Sequence, residues 1–195
     1  MMFAFLFAAI VEPCNTGTTY DLRACWSKLD VAAGDALDAS HRRVVAEMRN
    51  LHLNLQPLAA ATAAWKTAVD KTCAFEYRQY LPGTIAPQLQ LECDYRLTTA
   101  RTERLNRLLG SLQAPGAAAT QAPVTTDVDT ELSRVYGLYR SRLTPALRAA
   151  LEDSQRAWFT YRDKACAVEG GTCVADLAKE RVAELEASWV GEPFW

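Results

Sequence analysis

The sequence predicts an all-α protein made of two small disulfide-stapled helical bundles, joined by a linker rich in Ala, Pro and Thr. Three observations predict this fold class. Apolar residues recur at steps of three and four, which is the period of an amphipathic helix. The cysteines number six, an even count, and the second half of the chain repeats the pattern of the first. No stretch alternates apolar and polar residues for long enough to indicate a strand.

Composition sets the broad class of the protein. Half of the 195 residues are hydrophobic and 23% are charged, which suits one ordinary globular domain or two small ones. A net charge of -2 offers no basic footprint for nucleic acid. The cysteines fit disulfides in an exported chain, because the competing zinc site would need more than His41 and His52 and has no CxxC to draw on. We therefore expect no cofactor, no metal and no nucleic-acid partner.

The first eleven residues, MMFAFLFAAIV, form an uninterrupted apolar run. This run is too short to cross a bilayer, which takes about 20 residues. Its length is typical of the apolar region of a signal peptide. We interpret it as a targeting segment, which predicts a periplasmic or secreted protein with no stable membrane span. A buried N-terminal helix is the alternative.

The repeat is centred on Trp65 and Trp158. An aspartate follows each tryptophan five residues later, as Asp70 and Asp163, and a cysteine follows eight residues later. After a loop, a second cysteine opens the similar segments CDYRLTTARTERL and CVADLAKERVAEL, while SLQAPGAAATQAPVTTD between the copies has the composition of a linker. The predicted organisation is a targeting segment at 1–11, a first unit at 12–110, a linker at 111–127 and a second, shortened unit at 128–195.

Helix boundaries are clearest in the second unit. Thr144 and Pro145 predict the N-cap and first residue of a helix, and the pair Gly170-Gly171 predicts its end. The apolar stripe of this helix consists of Leu147, Leu151, Trp158, Tyr161 and Ala165. Two further stripes, at 132–143 and 174–189, complete the unit. In the first unit, an additional element at 20–30 is expected before the first repeat helix.

Each repeat is predicted to be a helical hairpin with one cysteine on either side of its loop. Antiparallel helices on either side of a short loop bring such cysteines within the roughly 4.4 to 6.8 Å between Cα atoms that a disulfide needs. The first unit has the same arrangement over a longer loop, and the remaining two cysteines pair by parity. The predicted bonds are Cys14–Cys25, Cys73–Cys93 and Cys166–Cys173.

The hairpin geometry also brings each tryptophan level with an arginine. Trp158 lies eight residues before one cysteine and Arg181 eight residues after the next, so both are about 12 Å from the disulfide at 1.5 Å per residue. We interpret this as a core tryptophan with an arginine over it and an aspartate pairing with the arginine. The residues of this structural motif are Trp65, Asp70, Arg101, Trp158, Arg162, Asp163 and Arg181.

No catalytic set is evident in the sequence. Glu152 and Asp153 are adjacent on a helix and so point to different faces, unlike the carboxylates of a glycosidase. His41 is replaced by Tyr136 in the other copy, and His52 has no recognisable catalytic partner. The sequence therefore predicts that the protein is not an enzyme.

The segments SQRAWFTYRDKAC, EGGT and CVADLAKERVAEL of the second copy resemble the LprI-like lysozyme inhibitor family. In the first copy, PCNTGTTYDLRACWSKLD and CDYRLTTARTERL are similar to it, whereas AAWKTAVDKTC departs from its aromatic and Arg-rich helix. The resemblance implies two tandem copies of the unit in a small exported protein that binds a lysozyme-type or other peptidoglycan-cleaving enzyme, as an inhibitor or immunity protein. The alternative is a non-catalytic envelope structural or adaptor module.

The first-copy loop, YRQYLPGTIAPQ, is the best candidate for contact with a protein partner. Loops near a hairpin tip protrude, and aromatic and arginine side chains often anchor interfaces. The predicted contact residues are Tyr77, Arg78, Tyr80 and Leu81. The alternative is a loop that folds over its own bundle.

Overall fold

Helices form all of the regular structure in the residues that the computed structural model describes, 14–114 and 126–190. The all-α prediction is therefore confirmed. The predicted targeting segment 1–11 and most of the predicted linker lie outside the described residues, and the two ends of that linker belong to helices. The six helices are α1 (Thr19–Asn50), α2 (Gln56–Gln79), α3 (Ala86–Gln113), α4 (Thr126–Arg142), α5 (Pro145–Glu169) and α6 (Cys173–Val190).

The first helix is longer than the sequence predicts. It starts with a capping box, in which the Asp21 backbone N–H donates to the Thr18 hydroxyl and the Thr18 N–H donates to the Asp21 carboxylate. It then continues for 32 residues, so the separate element expected at 20–30 is wrong and forms the start of α1. Residues 31–36 are mostly alanine and other helix-compatible types, and Gly34 costs only about 1 kcal/mol relative to alanine.

The central helix of the second unit has the boundaries that the sequence predicts. The Leu147 backbone N–H donates to the Thr144 hydroxyl, and Pro145 occupies the first turn. The helix ends where Gly170 and Gly171 adopt φ values of 62° and 55°. Only glycine takes that left-handed region without strain, so the pair turns the chain into α6.

The two units pack through their central helices. The most extensive helix pairing in the described residues is between α2 and α5, which belong to different repeats. The hydroxyl groups of Thr72 and Ser154 lie 2.8 Å apart and buried between these helices. The outer helices pack within their own units, α1 along α3 and α4 along α6.

One hydrophobic core spans both repeats. It contains Trp65 and Phe75 of the first unit together with Leu151, Trp158 and Leu185 of the second. A smaller cluster lies among α1, α2 and α3, with members Val44, Met48, Leu58, Leu105 and Leu108. Burying a large apolar side chain contributes about 1.5 to 3 kcal/mol, so α2 and α5 stabilise each other by covering apolar surface that each unit alone would leave open.

Candidate functional site

Three disulfides join the described cysteines in the pairs expected from the sequence. Cys73–Cys93 links α2 to α3 with Cα atoms 5.5 Å apart, and Cys166–Cys173 links α5 to α6 with Cα atoms 5.3 Å apart. Cys14–Cys25 ties the segment before α1 to its first turns. Two of the bonds therefore hold the tips of the helical hairpins.

The loop between α2 and α3 presents exposed apolar side chains at one of these tips. Tyr80, Leu81 and Ile85 are 37%, 49% and 43% exposed. We call these three residues the hairpin-loop patch. The loop is tightly turned, because the Gly83 N–H donates to the Tyr80 carbonyl at 2.6 Å and a Cβ on Gly83 would lie 2.7 Å from that oxygen.

The predicted contact residues are distributed over this tip in two settings. Tyr80 and Leu81 lie in the loop and are exposed, as a contact would require. Tyr77 and Arg78 lie in the last turn of α2, where Arg78 is exposed and Tyr77 is half-buried. The sequence reasoning missed Ile85, although an isoleucine between Gly-Thr and Ala-Pro in a turn is an apolar residue with little prospect of burial.

Carboxylates gather beside the Cys73–Cys93 disulfide. Burial, together with the nearby charges of Asp30, Asp70 and Glu76, raises the pKa of Asp94 to about 6. Asp30, Asp70 and Asp94 come from α1, α2 and α3, and we call them the acidic cluster. The three helices of the first unit thus present negative charge close to the hairpin tip.

The tryptophans of the structural motif and two of its arginines, Arg101 and Arg181, are buried, but the predicted acidic partners of these arginines are wrong. Arg101 is 3% exposed and Arg181 is 2% exposed. Arg101 donates to Glu169 at 2.9 Å and to the Tyr161 hydroxyl at 3.3 Å, and not to Asp70. Asp70 is exposed. An aspartate five residues after a tryptophan lies about 140° round the helix from it, and therefore faces away from the core.

The second motif is partnered differently from the first. Arg181 donates to the side chains of Gln155 and Ser154 and pairs with Glu184 at 2.8 Å. Asp163 is exposed and pairs with its neighbour Arg162. The predicted pairing of Asp163 with Arg181 is therefore wrong, for the same helical reason.

Arg162 lies on the outer face of α5. Its guanidinium carbon is 5.5 Å from the ring centroid of Trp158 and 4.8 Å from that of Phe159. It also contacts Asp129 of α4 at 3.5 Å. This residue of the motif covers the edge of the core tryptophan, with its charge satisfied near the surface.

Glu169 and Glu76, which the sequence reasoning missed, are acidic partners of three arginines of α3. Glu169 accepts hydrogen bonds from Arg101 and Arg104, and Glu76 accepts one from Arg96 at 2.7 Å. Both glutamates stand eleven residues after the repeated tryptophan of their copy. Eleven residues bring a helical side chain back to within about 20° of the starting face. The spacing therefore indicated from the sequence that each glutamate lies on the same face of its helix as the tryptophan.

A cleft of about 380 Å³ lies between the repeats, with the motif residues of both copies in its lining. Helices α2 and α5 supply Trp65, Trp158 and Tyr161, and α3 and α6 supply the two sides. At one end Glu180 pairs with Arg104 at 3.2 Å and with Arg107 at 3.6 Å. The lining also includes Arg96, Ala100, Leu177 and Ala187.

Residues 14–114 and 126–190 contain no group of three or more His, Cys, Asp or Glu side chains able to hold a metal ion. None of the helices in this part of the chain combines the length and the hydropathy needed to cross a bilayer.

These features define a class of protein: a disulfide-stapled, all-helical tandem repeat with an exposed apolar loop and a cleft between its two copies. The LprI lysozyme inhibitor family model matches residues 12–105 and 116–185, which is most of the chain. The chain belongs to the LprI lysozyme inhibitor family, and the two matched segments agree with two tandem copies of its unit. A search among curated proteins finds no match.

The fold is also similar to a solved one. A crystal structure of an uncharacterized protein from Burkholderia thailandensis superposes with a TM-score of 0.69. The match covers 88% of this chain and 87% of that chain, at 18% sequence identity. At that identity the likeness shows a shared fold alone.

Proposed function

We propose that this protein is an exported, non-catalytic inhibitor that binds a lysozyme-type or other peptidoglycan-cleaving enzyme and occludes its active-site cleft. Membership of the LprI family supports the class of target. The observation that carries the proposed mode of binding is the hairpin-loop patch, because three exposed apolar side chains within six residues stand on a tip held by Cys73–Cys93. A convex, braced tip is the shape that fills a concave substrate cleft.

The patch has the composition of an interface anchor. Its residues lie within one six-residue segment of the chain. The disulfide and the Gly83 turn hold the backbone of that segment, so little conformational entropy is lost when the loop binds. Buried aromatic and aliphatic anchors commonly carry most of the binding free energy of an interface. Arg78 and Tyr77 extend the same tip with polar groups for the rim of the contact.

The acidic cluster supports a cationic partner. Asp30, Asp70 and Asp94 place negative charge on the same end of the first unit as the loop. Complementary charge accelerates association and specifies orientation more than it adds affinity. Binding to a target with a basic surface should therefore slow as the salt concentration rises.

The test uses the purified mature protein and a panel of muramidases, amidases and endopeptidases. We expect a saturable complex with at least one enzyme by biolayer interferometry, and slower clearing of a cell-wall suspension by that enzyme. The protein alone should release no soluble peptidoglycan fragments. If the protein neither binds nor slows a single enzyme of the panel, the inhibitor function is refuted. A structural or adaptor role in the envelope then remains.

A matched pair of variants tests the contact surface. Tyr80→Ala/Leu81→Ala/Ile85→Ala should weaken the complex by about 100-fold, since each hot-spot truncation costs more than 1 kcal/mol. Leu51→Ala/Leu53→Ala is the control, because these leucines are equally exposed on the loop between α1 and α2. Both variants should melt like the parent. If the two variants bind the target enzyme with equal affinity, the hairpin loop is not the contact surface.

The proposed location rests on chemistry of the whole chain. Three disulfides are stable in oxidising compartments and rare in the bacterial cytoplasm. The apolar run at 1–11 has the length of a signal-peptide core. Cell fractionation and mass measurement of the exported form check both the location and the removal of the N-terminal segment.

A further inference from the structure

We propose that the cleft between the two repeats is a binding site for a monoacyl anion, with the acyl chain along the cleft and the anionic head at Arg96. The site is separate from the hairpin loop and does not depend on the proposed inhibition. It exists because the chain carries two copies of the unit. The first copy supplies Trp65 and the buried Arg101 and Arg104, the second supplies Trp158 and the buried Arg181, and each copy forms one side of the cleft.

The cleft suits an apolar ligand by its lining. Its surface is mostly carbon, from Trp65, Trp158, Leu177 and several alanines. The buried arginines of the lining form ion pairs with glutamates. They therefore present the methylene groups of their side chains to the cleft rather than unpaired charges. Its volume of about 380 Å³ lies in the range of small-molecule sites. Ala187 is exposed at the rim, which leaves a route in from solvent.

The length of the cleft selects a linear chain of defined size. On α3 the lining runs from Arg96 to Arg104, and on α6 from Leu177 to Ala187. At 1.5 Å per residue these stretches are about 12 and 15 Å long. Each carbon of an extended alkyl chain advances by about 1.25 Å, given C–C bonds near 1.5 Å and angles near 111°. The cleft therefore holds an alkyl chain of about ten to twelve carbons.

Charge at the two ends selects an anionic head. Arg96 is 41% exposed at one end and uses a single N–H group on Glu76, so its fork still has donors that face solvent. Both carboxylates of the lining are already paired, Glu180 with Arg104 and Arg107, and Glu184 with Arg181. A cationic head would have to displace one of these arginines in order to reach a carboxylate. A carboxylate head can bind the accessible guanidinium of Arg96 directly.

The test is calorimetric titration of the intact protein with saturated alkyl carboxylates from octanoate to tetradecanoate, each below its micelle concentration. We expect one site per chain. Affinity should rise about fourfold per added CH₂, from about 0.8 kcal/mol per buried CH₂, and stop rising beyond dodecanoate. Dodecyltrimethylammonium should bind at least tenfold more weakly than dodecanoate. Absence of saturable binding by every carboxylate of the series overturns the proposal.

Variants locate the site. Ala187→Leu and Ala100→Leu add bulk to opposite walls of the cleft and should each lower dodecanoate affinity at least tenfold with an unchanged melting temperature. Ala63→Leu, on the exposed face of α2 outside the lining, is the matched control and should bind like the parent. Arg96→Gln should abolish the preference for dodecanoate over dodecyltrimethylammonium. If Ala63→Leu lowers dodecanoate affinity as much as the two cleft variants do, the assigned site is refuted. If the Arg96→Gln variant still prefers dodecanoate to dodecyltrimethylammonium, the assigned position of the head is refuted.

Discussion

Replacement of Glu169 by glutamine tests how the repeats are held together. Glu169 ends α5 and accepts hydrogen bonds from Arg101 and Arg104 of the first unit, so its carboxylate joins one repeat to the other. Both arginines are almost completely buried. Glutamine keeps the shape of the side chain, but it removes the charge that balances two guanidinium groups out of reach of water.

The magnitude follows from the burial of these groups. Removing one partner of a buried ion pair costs about 3 to 5 kcal/mol, because a charge is left uncompensated. Arg104 retains Glu180 at 3.2 Å, and glutamine still offers a carbonyl acceptor. We therefore expect a loss at the lower end, about 3 kcal/mol, which corresponds to about 6 to 12 °C in melting temperature for a chain of this size.

The assay is unfolding by heat and by guanidinium, followed by circular dichroism at 222 nm. Glu131→Gln is the matched control, because Glu131 pairs with Arg134 on an exposed face of α4. Exposed pairs contribute little, so the control should melt with the parent. If Glu169→Gln were as stable as Glu131→Gln, the reasoning that this carboxylate holds the repeats together would be refuted.

Three further predictions concern stability. Trp158→Ala should cost about 3 to 5 kcal/mol in guanidinium unfolding, since the side chain is buried in the shared core; a variant as stable as the parent would contradict that packing. The raised pKa of Asp94, about 6 against 3.8, means that the native state binds the extra proton, so stability should fall as pH rises from about 4 to 6. Asp94→Asn should remove that dependence and gain about 1 kcal/mol at pH 7.5, after allowance for partial exposure; a pH profile identical to the parent would contradict it. Removal of Cys73–Cys93 should cost about 3 kcal/mol and removal of Cys166–Cys173 about 2, because the sequence separations are 20 and 7. Denaturant titrations of the two paired Cys→Ala variants measure which loss of stability is larger.

Local patterns in the sequence determined much of this protein. The apolar period of 3.6 residues, Thr144-Pro145 and the Gly170-Gly171 pair act within one or two turns, so they predict the start of α5 at Pro145 and its end before the glycine pair. The cysteines on either side of each hairpin loop indicated two pairs and parity left the third, and all three pairs occur in the structure. The self-similarity of the halves predicted the tandem unit, and its motifs indicated the family.

Only the tertiary structure decided how the two copies meet. Burial of the Trp65 and Trp158 surfaces follows from α2 packing on α5, and no local pattern specifies which apolar stripes will face each other. The ion pair of Arg101 with Glu169 joins residues of different repeats, so a search for acidic partners within one hairpin selected Asp70 instead. The sequence by itself thus determined the units and their staples. The shared core and the cleft depend on the packing of helices that are far apart in the chain. Which apolar faces become buried against each other is decided only when all the helices pack together.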